Sequence, residues 1–190
     1  MDESLEVLAR WIEEARAADA PAPAAMTLAT ATADGRPSAR LVSLKRLDAE
    51  GLVFTTGLWT RKVAELTANP RAAATFFWPT LGRQARVEGR AAVAERSLAE
   101  ELFAKRQRSH RLQALVSRQG EEIDDLAPLR KRLATLEAEL EDSVLCPEDW
   151  GAVRLVPDRI ELWQEAPDRL HERLLFEVGD GEWRRSQLAP

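Results

Sequence analysis

At 190 residues and 45% hydrophobic, the chain is long enough to bury one substantial core and too short to demand two, so one domain over residues 1–190 is expected, open to completion by a partner subunit. A formal net charge of −5 and a pI near 5.3 lack the basic excess that nucleic-acid binding relies on, which turns any arginine cluster toward a small anion such as a phosphate-bearing ligand. A single cysteine, Cys146, excludes an internal disulfide, and with only two histidines no zinc cluster is expected; the setting is reducing, hence cytoplasmic.

The N-terminus, "MDESLEVLARWIEEARAADAPAPAA", places Leu5, Leu8, Trp11, Ile12 and Ala15 at helical spacing behind acidic residues suited to the positive end of a helix. A helix is expected over 1–20, broken by "ADAPAPAA". The segment has no basic leader and no run of about 20 apolar residues, so neither export nor membrane anchoring is expected. "MTLATATADGRPSARLVSLKRLDAEGLVFTTG" carries turn signals at Asp34-Gly35 and Glu50-Gly51 and reads as three antiparallel strands. "WTRKVAELTANP" reads as a short helix capped by Thr60 and stopped at Asn69-Pro70. "RAAATFFWPTLGRQARVEGRAAVA" reads as a hairpin in which Ala85, Val87 and Gly89 alternate with Gln84, Arg86, Glu88 and Arg90, giving one buried face and one that is wet or holds a ligand.

"SLAEELFAKRQ" opens with serine and glutamate in helix-starting order. An amphipathic helix is expected over 121–142, with leucines at 126, 129, 133, 136 and 140 serving core or dimer packing rather than a coiled coil. "WGAVRLVPDRIELWQ" and "RLLFEVGDGEWRRSQL" return to strands around a Gly-Asp-Gly turn. Strands outnumber helices, so the expected fold class is mainly β with peripheral helices (α+β), an antiparallel barrel or sheet.

Several residues stand out chemically. Arg61 and Lys62 fall in a first helical turn, where cations are disfavoured unless an anion is bound; the alternative is two solvated charges. Arg40 and Lys45 flank "LVSL" at an odd separation, which puts them on opposite faces unless a bulge or strand end intervenes. Gln84 fits an exposed strand position as well as a ligand contact, and Trp163 fits a core as well as a stacking platform. In "DRLHERLLF", Arg169, His171 and Arg173 stand two apart, so a strand there would collect all three on one face, where they repel unless an acid or a ligand lies among them. Asp168 and Glu172 are the adjacent candidates for pairing. His110 lies in "KRQRSHR", read equally as a phosphate-binding loop or a solvated basic turn.

In order, "RLVSLK", "FTTGLWTRK", "NPRAAATFFWPTLGRQARVEGRA", "VSRQ", "IELWQ", "RLHER" and the terminal "LAP" resemble the pyridoxine/pyridoxamine 5′-phosphate oxidase family of FMN flavoproteins, from about Met26 to Pro190. The resemblance implies an FMN-binding split β-barrel, a homodimer with FMN at the subunit interface, and hydride transfer from substrate to FMN with reoxidation by O2. It implies that Arg40, Arg61 and Lys62 hold the FMN phosphate. The rest of "RLVSLK" (Leu41, Val42, Ser43, Leu44 and Lys45), Thr55 and Thr56 would line the same cofactor. It gives Gln84, Gln119, Trp163 and Arg173 contacts to the flavin or its ribityl chain, Lys45 and Arg106 the substrate phosphate, and Arg169 and His171 the substrate ring and reacting carbon.

The chain departs from the family pattern at the substrate end. The family's "SRPRxSQIGAWVSxQS" appears as "KRQRSHRLQALVSRQG". Its phosphate-binding tyrosine aligns with Leu102, its serine with His110, and the serine after the glutamine with Gly120; the chain contains no tyrosine. His110, if protonated, would supply a charged hydrogen bond in the serine's place. Three other functions stay open: an FMN oxidase of a specialised natural-product pathway acting on a reduced phenazine-type ring, a non-catalytic flavin- or haem-binding split-barrel protein, and a purely structural dimer.

Overall fold

The computed structural model describes residues 3–140 and 144–190. Among them, nine strands form one sheet: β1 (Ala25–Ala31), β2 (Pro37–Ser43), β3 (Arg46–Asp48), β4 (Gly51–Gly57), β5 (Arg71–Trp78), β6 (Arg83–Val93), β7 (Trp150–Gln164), β8 (Glu172–Gly179) and β9 (Glu182–Leu188). The helices are α1 (Glu3–Ala17), α2 (Arg61–Ala68), α3 (Arg96–Ala104), α4 (Arg108–Val116) and α5 (Ala127–Glu139). The sheet order is β2-β1-β5-β6-β7-β4-β3, with β8 branching from β7 and β9 from β8. The mainly β, antiparallel expectation with peripheral helices is borne out.

The chain divides into two compact units, Met1–Phe54 with Glu65–Ala92 and Arg154–Pro190, and Thr55–Ala64 with Val93–Val153. In the first, α1 buries Leu5, Leu8, Ile12 and Ala15, the stripe that the helical spacing marks. Its sheet buries Met26, Leu28, Phe54, Phe76, Trp78, Val87, Leu155, Ile160 and Phe176. Trp78 stacks on Phe76 at 5.5 Å, meets Trp11 edge-on at 6.4 Å and donates its indole N–H to the Pro23 carbonyl. In β6, Ala85, Val87 and Gly89 are buried and Arg86 and Arg90 exposed, as the alternation requires. Gly89 admits no side chain, since a Cβ there would lie 2.1 Å from the Val156 carbonyl oxygen on β7.

The second unit packs Phe103, Leu112, Ala114 and Val144 together, with Leu133, Leu136 and Trp150 against them. Leu133 and Leu136 of the leucine stripe take part in this packing, while Leu126 and Leu140 are exposed.

Several boundaries differ from the sequence reading. Four strands, not three, occupy residues 25–57, because the chain leaves its pairing with β1 at Ser43 and resumes with β4 at Arg46. The N-terminal helix spans Glu3–Ala17 rather than 1–20, and the helix expected over 121–142 spans Ala127–Glu139; positions 1–2 and 141–142 of those expectations lie outside the described residues. Ser97 does not cap α3, which begins one residue earlier behind Glu95. "RSHRLQALV" forms α4, so His110 sits in a first helical turn rather than a loop.

Candidate functional site

In the second unit, β4 delivers Thr55 and Thr56 to its C-terminal end, and a tight connection leads to Thr60 and the start of α2. Thr56, Thr60 and Lys62 are buried. The Lys62 ammonium donates to Thr56 Oγ1 at 3.0 Å, Thr56 and Thr60 hydroxyls lie 3.5 Å apart, and Thr60 Oγ1 donates to the Gly57 carbonyl at 2.8 Å. Thr60 therefore precedes the helix as expected, with its hydroxyl turned to the preceding loop. Placing an ammonium out of water at the positive end of a helix costs free energy that an anion would offset. Hydroxyls, the Lys62 ammonium and exposed Arg61 within one short segment form a donor set that fits a phosphate monoester, the anionic end of FMN.

The same unit holds Arg106, just past the end of α3. Its guanidinium lies 4.3 Å from the Trp150 ring centroid and 5.5 Å from that of Phe103, and its Nη1 is buried without an acceptor. Burial pushes its pKa down, with the neighbouring Cys146 acting in the opposite direction. A cation held on aromatic rings with an unused buried donor is suited to an incoming anion. His110 and Gln119 are exposed; the Gln119 carbonyl accepts the Trp59 indole N–H at 3.3 Å, and Arg118 stacks on Trp59 at 4.5 Å. Leu102 is buried on the inner face of α3 beside Leu98, Ala99 and Phe103, so it contributes to a core and offers no hydrogen bond.

In the first unit, Arg40 on β2 donates to Thr30 Oγ1, Ser38 Oγ and the Leu28 carbonyl and lies 3.4 Å from the buried carboxylate of Glu65. The Thr30 and Ser38 hydroxyls both donate to Glu65 Oε2. The alternation of β2 turns Leu41 and Ser43 outward, with Val42 half-buried; Leu44, beyond the strand, is buried. Lys45 follows in the gap before β3, exposed, with Nζ 3.4 Å from Ser43 Oγ. A strand end does intervene between Arg40 and Lys45.

The face shared by β6, β7 and β8 gathers the rest. Trp163 pairs directly with Arg173 across β7 and β8, and side chains opposite one another share a face. Arg173 donates to Glu161 Oε1 through Nε at 3.0 Å and Nη2 at 2.8 Å, and to the Ala189 carbonyl through Nη1 at 3.0 Å. Glu161 is buried and its other oxygen accepts from Arg86 at 3.2 Å. Gln84 lies two residues before Arg86, hence on the same side of β6, and is half-buried.

The strand expected through Arg169, His171 and Arg173 begins only at Glu172, so Arg173 alone lies on it. Asp168 forms a turn by accepting from the Leu170 N–H at 3.0 Å, and Arg169 is exposed in the left-handed region at φ 65°. His171 rests 4.9 Å from the Trp163 ring, and its Nδ1 accepts the Ala166 N–H at 3.1 Å, which leaves the neutral ring's proton on Nε2. The acid within the cluster is thus Glu161, not Asp168 or Glu172. Sequence reasoning missed it and Glu65; the signal for Glu161 was a lone carboxylate between Ile160 and Leu162 in a long strand, in phase with Arg159 and Trp163.

Comparison with known proteins adds an independent line. A family model described as pyridoxamine 5′-phosphate oxidase matches residues 12–138, and one described as pyridoxine 5′-phosphate oxidase C-terminal dimerisation region matches residues 150–190. Proteins named pyridoxine/pyridoxamine 5′-phosphate oxidase from Chromobacterium violaceum and Rubrobacter xylanophilus are 46% and 47% identical, each over 95% of this chain and 85% and 84% of their own lengths. The crystal structure of PhzG from Burkholderia lata, in complex with tetrahydrophenazine-1-carboxylic acid, superposes with a TM-score of 0.94 at 32% identity, covering 100% of this chain and 94% of that one.

Proposed function

This chain belongs to the pyridoxamine 5′-phosphate oxidase family, and on that premise we propose that it oxidises pyridoxamine or pyridoxine 5′-phosphate to the corresponding aldehyde as a cytoplasmic homodimer, residues 1–190 acting as one domain. It is an FMN-dependent oxidoreductase with the antiparallel split β-barrel of its family. It carries the family's C-terminal dimerisation region. No helix among the described residues is long and apolar enough to cross a membrane. FMN, when bound, would supply the two-electron acceptor: the substrate carbon would give up a hydride and its hydroxyl or amine a proton, O2 would take the electrons and two protons to give hydrogen peroxide, and the imine formed from an amine would take up water and release ammonia to leave the aldehyde.

The chain's residues would divide the work as follows. Arg40, Arg61, Lys62, Thr55 and Thr56 neutralise and orient the cofactor phosphate, with Leu41, Val42, Ser43, Leu44 and Lys45 beside it. Gln84, Gln119, Trp163 and Arg173 place the flavin and its ribityl chain. Lys45 and Arg106 bind the substrate phosphate, with His110 contributing a hydrogen bond in place of the family serine, charge-assisted if the ring is protonated. Arg169 and His171 orient the ring and reacting carbon; the Ala166 N–H on His171 Nδ1 fixes which nitrogen carries the proton toward the substrate.

The observation that carries the substrate reading is Arg106, a half-buried cation on two aromatic rings whose Nη1 lacks an acceptor. A phosphorylated substrate supplies that acceptor. Leu102 is the specific observation for a second reading. Where the family has a phosphate-binding tyrosine, this chain has a buried apolar residue, which favours a specialised-pathway oxidase acting on a reduced phenazine-type ring, the class of compound bound in the PhzG structure. Turnover in air discriminates: pyridoxamine 5′-phosphate should yield aldehyde and peroxide in equal amounts, and no product from it at millimolar concentration would reject the vitamin B6 reading.

A further inference from the structure

We propose that Glu161 is a positioning residue of the flavin site, acting through Arg173; this rests on the reading above that Arg173 contacts FMN. Glu161 is 4% exposed, and a carboxylate is taken that far from water at a cost that only a specific set of partners offsets. Its partners are two guanidiniums approaching its two oxygens from neighbouring strands: Arg86 of β6 on Oε2, and Arg173 of β8 on Oε1. The two arginines are balanced differently. Arg86 has a second acid, Glu88, at 3.3 Å, and Glu88 in turn lies 3.7 Å from Arg159, which pairs with Glu177 at 3.0 Å. The charges therefore alternate as Arg173, Glu161, Arg86, Glu88, Arg159, Glu177 across the sheet. Arg173 is its terminal member, with Glu161 as its one carboxylate in that series.

The geometry fixes more than a charge. Nε and Nη2 bond Glu161 Oε1, and Nη1 bonds the Ala189 carbonyl, so the guanidinium plane is held from two sides. Of the five N–H donors of arginine, three are used and one remains on each terminal nitrogen. Arg173 stays 29% exposed, directly across from Trp163, so the remaining donors belong to the part of the side chain that a ligand reaches. Without the Glu161 charge, Arg173 would face Arg86 with no acid between them, and like-charge repulsion would turn its guanidinium toward water.

The test uses full-length apoprotein titrated with FMN, read by flavin fluorescence, with the visible circular dichroism of the bound flavin recorded at saturation. Arg173→Ala is expected to raise the FMN Kd by about 10-fold to 100-fold, the loss of a charged hydrogen bond. Glu161→Gln should raise it by at least about half that factor on a logarithmic scale. The double variant should bind no more weakly than Arg173→Ala alone, and all three should share one altered dichroism spectrum, a signature that a merely structural salt bridge would not impose. An unchanged Kd in Arg173→Ala overturns the placement of Arg173 and this inference with it. A weakened Arg173→Ala beside a normal Glu161→Gln, or multiplicative losses in the double variant, overturns the role of Glu161 alone. Should Glu161→Gln fail to fold, Arg173→Lys serves: it keeps the charge but cannot make the paired Nε and Nη2 bonds, so it should match Arg173→Ala, and wild-type affinity would overturn the proposal.

Discussion

The guanidinium of Arg106 lies 4.3 Å over the ring of Trp150, with its Nη1 buried and without an acceptor. If a substrate phosphate completes it, Arg106→Ala should raise KM for pyridoxamine 5′-phosphate by about 10-fold to 100-fold, equivalent to the roughly 1.5–3 kcal/mol of a charged hydrogen bond. Steady-state kinetics with unphosphorylated pyridoxamine provide the control. The variant should leave that weaker reaction unchanged; an equal loss with both substrates would count against the phosphate role.

Lys62 is the buried cation at the start of α2, 3.0 Å from Thr56 Oγ1. Lys62→Met keeps the length of the side chain and removes its charge. FMN affinity should fall by about 10-fold or more, beyond any loss of apoprotein stability that follows from leaving Thr56 Oγ1 without the ammonium. Calorimetry of the apoprotein and FMN titration measure the two effects separately. A destabilised apoprotein with normal FMN affinity would make Lys62 structural.

His171 accepts the Ala166 N–H on Nδ1 and packs against Trp163. His171→Asn should lower kcat for pyridoxamine 5′-phosphate by at least about 10-fold, toward the range of a lost acid–base or orienting group, with FMN affinity little changed. Trp163→Leu should reverse that pattern and weaken FMN binding, because the indole would contact the cofactor and not the reacting carbon. Single-turnover kinetics and FMN titration on both variants distinguish the roles.

Much of this was legible in the sequence, and the failures have physical causes. Period-two alternation in β6 and the helical stripe of α1 are local signals and survive in the structure unchanged. The cations at the start of α2 were readable because a helix start disfavours them. What was not legible is long-range. Arg169, His171 and Arg173 looked like a strand face because their spacing is two, but Pro167 and the Asp168 turn delay the strand to Glu172. The acid that balances Arg173 lies on the neighbouring strand, and no spacing rule within "DRLHERLLF" points to Glu161. α4 was missed because "RSHRLQALV" is too short and basic to show a clear apolar stripe, although Leu112 and Ala114 are buried.

The ion pair of Asp48 with Arg154 ties β3 to β7. Burial raises the Asp48 carboxyl, but the Arg154 hydrogen bond and the Glu50 N–H outweigh it and hold its pKa below the usual 3.8. A carboxylate depressed in the folded state stabilises the protein above its unfolded pKa and loses that contribution as pH falls through the folded value. Asp48→Asn should therefore be less stable at pH 7 by under about 1 kcal/mol, as befits a partly exposed pair. Denaturant melts should show the gap closing below about pH 4, near the unfolded carboxyl pKa. A gap that persisted undiminished at low pH would assign the effect to packing instead of charge.

The central claim, that this flavoenzyme draws its electrons from a vitamin B6 phosphate, is tested most directly by mixing the FMN-loaded protein with pyridoxamine 5′-phosphate in the absence of oxygen and following flavin absorbance. The expected result is rapid, complete bleaching at saturating substrate, slowed in Arg106→Ala and in His171→Asn. A flavin that stays oxidised at millimolar pyridoxamine and pyridoxine 5′-phosphates, yet bleaches with a reduced phenazine carboxylic acid, would contradict it and establish the specialised-pathway oxidase in its place.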